Sequence, residues 1–138
     1  MEYKVKENVV ILRLEKGEEI ISSLLTLINE LDIKSGRVSG IGATNNVTIG
    51  VFDASTKEYH KKNITEDMEI LSLSGNLSRM NGLPYVHVHG TFASLEKVYG
   101  GHLNEAYVSA TAEIILDLFD VTVEREYCEE TGLNLIKL

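Results

Sequence analysis

Ala106-Tyr107-Val108-Ser109-Ala110-Thr111-Ala112-Glu113-Ile114-Ile115-Leu116-Asp117-Leu118 is the stretch that decides the fold. Ala106, Val108, Ala110, Ala112, Ile114, Leu116 and Leu118 recur at period two, with Tyr107, Ser109, Thr111, Glu113 and Asp117 between them. A helix would scatter these apolar side chains around its cylinder, whereas a strand collects them on one face. The reading is a long strand with one buried side. Ile115 and Phe119 lie on its polar side and suggest that this face is partly covered as well, by another sheet or another subunit.

Working outward, strand patterns dominate. Tyr3 to Leu14 reads as a strand or hairpin. Arg37 to Ile41 is short and ends in a glycine pair, and Val47 to Phe52 pairs with Thr56 to Lys62. Leu71, Leu73, Gly75 and Leu77 are expected on one face of the next strand. Asn81-Gly82 is a hairpin signal, and Pro84 opens a strand running to about Phe92. Val121 to Tyr127 and Asn134 to Lys137 close the series. Ile20, Ile21, Leu24, Leu25, Leu27, Ile28 and Leu31 carry the only strong helical periodicity, predicting one main helix over about residues 18–31 with Glu18 and Glu19 in its first turn. The fold class is therefore α+β: residues 1–138 form a single domain with a mostly antiparallel sheet of seven or eight strands and one helix.

Charge narrows the partners. Thirteen Lys and Arg against 21 Asp and Glu leave a net charge of −8, which opposes a broad grip on a phosphate backbone. No apolar run approaches the ~20 residues of a membrane-crossing helix. Cys128 is the single cysteine and has no partner for an internal disulfide. With no secretory pattern at the N-terminus, a reduced cytoplasmic setting is expected. The acids flanking Cys128 are expected to raise its thiol pKa and make it a poor nucleophile.

Three of the four histidines fall between positions 87 and 102. In Tyr85-Val86-His87-Val88-His89-Gly90, strand geometry puts both imidazoles on one face, about 6.5–7 Å apart, with Val86, Val88 and Phe92 facing the core. If 84–92 and 100–108 form an antiparallel hairpin that sets His89 opposite His102, then His87 falls opposite Asn104, and Ala106 and Val108 follow on the histidine face. Three converging imidazoles make a metal site with one position open, zinc first and other divalent transition metals next. Surface histidines on a half-buried strand are the competing reading, and a structural site closed by another subunit is a third.

A metal-bound water would suit hydrolase or lyase chemistry, which also wants a general base. Glu113, Glu105 and Glu96 are the nearest carboxylates in sequence, each more readily a solvated charge. Ser39-Gly40-Ile41-Gly42-Ala43-Thr44 lacks the third glycine of a dinucleotide loop, so its glycines read as allowing a bend or close packing. His60, beside Lys61-Lys62, reads as an exposed strand residue.

Ile41-Gly42-Ala43, Glu69-Ile70-Leu71-Ser72-Leu73-Ser74-Gly75-Asn76-Leu77-Ser78, Val86-His87-Val88-His89 and Gly100-Gly101-His102-Leu103, in this order, resemble the PPC (plants and prokaryotes conserved) domain family. The similarity runs from about Arg13 to Leu118. The resemblance implies a compact domain on a mostly antiparallel sheet, assembled as a homotrimer, with His87, His89 and His102 as metal ligands. It also brings a predicted DNA-binding label, which stems from plant relatives in which an AT-hook precedes the domain. No such Arg-Gly-Arg-Pro element occurs here, since Arg13, Arg37, Arg79 and Arg125 stand apart. The plant domain itself serves oligomerisation and protein-partner binding. Three function classes follow: a metal-dependent enzyme on a small-molecule substrate, an oligomeric partner-binding module, and a DNA-binding protein.

Overall fold

The computed structural model describes residues 1–138. Nine strands and one helix follow the order β1 (Glu2–Lys6), β2 (Val9–Glu15), α1 (Ile20–Glu30), β3 (Gly36–Asp53), β4 (Glu58–Ile64), β5 (Met68–Met80), β6 (Leu83–Ala93), β7 (Val98–Leu118), β8 (Arg125–Cys128) and β9 (Leu133–Ile136). The first seven strands form one antiparallel sheet in the order β1-β2-β7-β6-β5-β3-β4, and β3 also pairs with β7. The β3–β5–β6–β7 circuit is thereby closed on itself. β8 and β9 form a separate two-stranded ribbon.

β7 is the spine. It pairs with β3 along most of its length, and on its other edge with β6 and then with β2. The expected alternation is present: Ala106, Val108, Ala112, Ile114 and Leu116 are buried, while Ala110 sits at a register shift and is exposed. The strand begins earlier than the apolar pattern suggests and takes in Gly100, Gly101 and His102. Ile115 and Phe119 are exposed on the opposite side.

The helix starts one residue after Glu19, which is its N-cap rather than a first-turn residue. Its carboxylate accepts from Ile21 N at 2.9 Å and Ser22 N at 2.6 Å, and reaches Ala106 N of β7 at 3.0 Å. Ile20, Leu24, Leu27 and Ile28 then face a core that includes Leu12, Leu14, Phe92 and Ile114.

Several local expectations are corrected. β3 is one strand of 18 residues, because the Gly40–Gly42 stretch makes a bulge instead of a break. Leu71 does not share the inner face: a bulge between Ile70 and Ser72 turns it outward and puts Ile70 in. His87 is not opposite Asn104. It pairs with Asn76 of β5, because β7 leaves β6 at His102 and continues along β3. Ala106 and Val108 do not follow the histidine face either, since Asn104 is an extra residue between Leu103↔Ile49 and Glu105↔Thr48. The Cys128 thiol lies below its ordinary pKa, held there first by the Thr131 hydroxyl, then by backbone N–H groups that outweigh Glu130.

Candidate metal centre

His89 pairs with His102 across β6 and β7, as the hairpin register predicts. His87 stands two residues before His89 on the same face, while Val88 and Phe92 on the opposite face are fully buried and pin the strand. The three ring centroids lie 5.1 Å (His87–His89), 5.1 Å (His87–His102) and 5.4 Å (His89–His102) apart. One ring nitrogen from each lies within 4.8 Å of the others. The Nε2 atoms of His87 and His89 are 3.2 Å apart. Two nitrogens on a tetrahedral zinc at ~2.0–2.1 Å would stand roughly 3.3 Å from each other, so the pair already has a metal-compatible spacing.

The electrostatics agree with that use. Burial first, then the neighbouring His102, Arg125 and His89, pushes the His87 pKa down to about 4. His102 is lowered by burial, His89 and Lys61. Neutral imidazoles present lone pairs to a cation near neutral pH. The donor set fits a borderline-soft divalent ion.

The histidines lie at one side of a cleft of about 880 Å³ on the outer face of the sheet. Tyr59 of β4 forms one wall, edge-on to the His102 ring at 6.0 Å between centroids. Its phenol rests over Gly50, where a Cβ would fall 2.1 Å from the hydroxyl, and it accepts from Asn104 Nδ2 at 2.6 Å. The β8–β9 ribbon forms the other wall with Leu133, Leu135 and Ile136. Arg125 enters from β8 and is 7% exposed. It donates to Ser78 Oγ at 2.8 Å, Asn134 O at 2.7 Å and Asn76 Oδ1 at 2.7 Å. Its Nη2 stands 3.5 Å from His87 Nδ1, the far end of hydrogen-bond range, and its guanidinium carbon lies 4.7 Å from the Tyr85 ring centroid.

None of the lining residues is acidic. Glu105 instead accepts from the Tyr107 hydroxyl at 2.7 Å. Glu113 lies opposite Arg13 on the exposed side of the sheet, beside a groove lined by Ile11, Ile41 and Ile115. Glu96 is exposed in the β6–β7 connection, and His60 is exposed on β4. The sequence pattern did not single out Arg125, Asn76, Tyr59 or Tyr85. Arg125 meets Asn76, Ser78 and His87 across 49, 47 and 38 residues of chain, and nothing local marks such a meeting.

A model of the Plants and Prokaryotes Conserved domain matches residues 1–120. A candidate DNA-binding protein from Bacteroides thetaiotaomicron is 33% identical, with a TM-score of 0.95 over 99% of this chain and 96% of its own. A metal-containing protein from Archaeoglobus fulgidus is 37% identical, with a TM-score of 0.88 over 99% and 97%. A plant- and prokaryote-conserved protein from Pyrococcus horikoshii is 31% identical, with a TM-score of 0.87 over 99% and 95%. No curated protein matches the chain.

Proposed function

The chain belongs to the Plants and Prokaryotes Conserved domain family, and from that premise we propose that it is a homotrimeric metal-binding protein whose His87, His89 and His102 hold one divalent ion, zinc by preference. The observation that carries the reading is the convergence of three imidazole nitrogens within 4.8 Å at the edge of a cleft. The Archaeoglobus relative, described as metal-containing, supports it at 37% identity. The chain supplies three ligands and no fourth histidine, cysteine or carboxylate to the cluster. Such a set leaves a position for water or a ligand, as in catalytic rather than closed structural sites. A bound metal would act there as a Lewis acid and lower the pKa of a coordinated water. The chain's own residues hold the histidines, shield one side with Tyr59, and present Asn76, Asn134 and Arg125 to whatever enters. With no carboxylate in the cleft, neither Glu105 nor Glu113 is positioned as a base, and the reading is a metal site that takes a small molecule.

The test is elemental analysis of untagged protein, wild type beside His89→Ala, with sedimentation velocity on both. Near-stoichiometric zinc in wild type, lost in the variant, is the expected result, with a trimer in each. Absence of metal in both after incubation with zinc would overturn the reading. The Bacteroides relative prompts the DNA-binding alternative, but a net charge of −8 opposes it. A gel shift that shows no binding, or only weak salt-sensitive binding, would dispose of it.

A further inference from the structure

We infer that the cleft is built for a small organic carboxylate, with Arg125 as the group that recognises its charge. The inference rests in part on the metal reading but stands on separate observations.

The first is that Arg125 is a buried cation without a counter-ion. It is 7% exposed. Each group it donates to, the Ser78 hydroxyl, the Asn134 carbonyl and the Asn76 amide oxygen, is neutral. No carboxylate lies within ion-pair distance, although Arg37 and Arg79 each have one and Arg13 has two. A buried charge of this kind is costly unless something of opposite sign joins it. Three of its five N–H groups are taken by those acceptors; the second on Nη2 faces His87 Nδ1, which bears the ring hydrogen when Nε2 ligates a metal, so that N–H and one on Nη1 are left for a ligand.

The second is the sign of the site against the sign of the molecule. The chain carries 21 acids against 13 bases, yet none of those acids lines the cleft. Lys61 Nζ lies 5.7 Å from the ring centroid of Tyr59, which lines the cleft. A positive cleft on an acidic surface selects and steers anions.

The third is the chemistry of the walls. Phe52, Leu135 and Ile136 are apolar, so the site suits an anion with a hydrocarbon part. One guanidinium matches a monoanion. A phosphate dianion would call for more donors, such as a helix N-terminus, and the chain's one helix begins at Ile20, outside the cleft lining.

The experiment is calorimetric and NMR titration of wild-type protein with 2-hydroxybutyrate, its neutral amide 2-hydroxybutyramide, and inorganic phosphate, in zinc-loaded and metal-free forms. We expect the carboxylate to bind at least tenfold more tightly than the amide and more tightly than phosphate. In Arg125→Gln, which keeps hydrogen-bonding capacity and loses the charge, that ratio is expected to fall to within about twofold while zinc content is retained. Arg125→Lys, which keeps the charge, is expected to keep part of the preference. Equal binding of acid and amide by wild type would overturn the inference whether or not the variants fold. So would a preference that survives in folded Arg125→Gln, and tighter phosphate binding would overturn the choice of carboxylate. If zinc is not retained but metal-free wild type still prefers the acid and Arg125→Gln does not, the metal reading fails and this one holds.

Discussion

Replacing Glu19 by alanine is expected to destabilise the protein by about 3 kcal/mol. The carboxylate accepts three backbone N–H groups: Ile21 and Ser22 in the first turn of the helix, and Ala106 in the middle of β7. Losing a side-chain N-cap costs ~1 kcal/mol. Ala106 is fully buried, so its orphaned N–H adds a desolvation penalty of about 1–3 kcal/mol. The two contributions concern different elements and are close to additive. Glu19→Gln keeps one acceptor oxygen and should lose about half as much. For 138 residues, an unfolding entropy of ~2.1 cal/mol/K per residue converts 3 kcal/mol into a fall of roughly 10 °C in Tm. Urea denaturation and calorimetry at one fixed protein concentration read both values. A loss under about 1 kcal/mol in Glu19→Ala, with the m-value unchanged, would refute the claim that this carboxylate ties the helix to β7.

Other perturbations have equally definite outcomes. Gly75→Ala places a Cβ 2.1 Å from the His87 carbonyl oxygen and 2.7 Å from Val88 Cα; with backbone on that side, we expect a cost of about 2 kcal/mol or more and weaker metal retention, read by denaturation and elemental analysis. Arg79, 7% exposed, donates to the Ile33 carbonyl through both Nε and Nη2 and to Gly82 O through Nη1; Arg79→Met strands these acceptors and should cost about 2–3 kcal/mol, with histidine-site metal content unchanged. Stripping metal with a chelator should lower stability by ~2.7 kcal/mol relative to protein held at free zinc one hundred times its Kd, and an unchanged Tm on verified metal removal would show that the ion does not favour the folded state.

The fold was legible where the pattern is local. β7 announces itself through five alternating buried residues, the helix through Ile20, Leu24, Leu27 and Ile28, and the β5–β6 hairpin through Asn81-Gly82, whose φ angles of 53° and 77° are those the turn requires. The histidine pair was legible because strand periodicity sets which residues share a face, and its partner His102 followed from a supposed hairpin register that sets it opposite His89, the register the structure has. What escaped was whatever depends on a bulge or on distant chain. Leu71 sits at a one-residue bulge that reverses inside and outside, and Ala110 sits at a register shift that leaves it exposed between the buried Val108 and Ala112. Arg125 reaches Asn76, 49 residues away, by folding of a ribbon that has no counterpart in the main sheet.

The irregularity at Asn104 is what lets one strand serve both the core and the site. Leu103 and Ala106 both point inward although they are three residues apart, which an unbroken strand forbids. Asn104 is the extra residue, and its amide is held by the Tyr59 hydroxyl at 2.6 Å. On an unbroken strand His102 and Ala106 would share a face, so a histidine set for the cleft would turn the Ala106–Leu116 series away from the core. Deleting Asn104 should therefore preserve the buried series, which is held by many contacts, and rotate His102 out of the cleft. The expected result is a folded protein with its zinc lost. Tyr59→Phe removes only the acceptor of the Asn104 amide and should leave the fold intact while weakening zinc binding severalfold. A folded deletion variant that keeps stoichiometric zinc would show that the bulge does not set the histidine's direction.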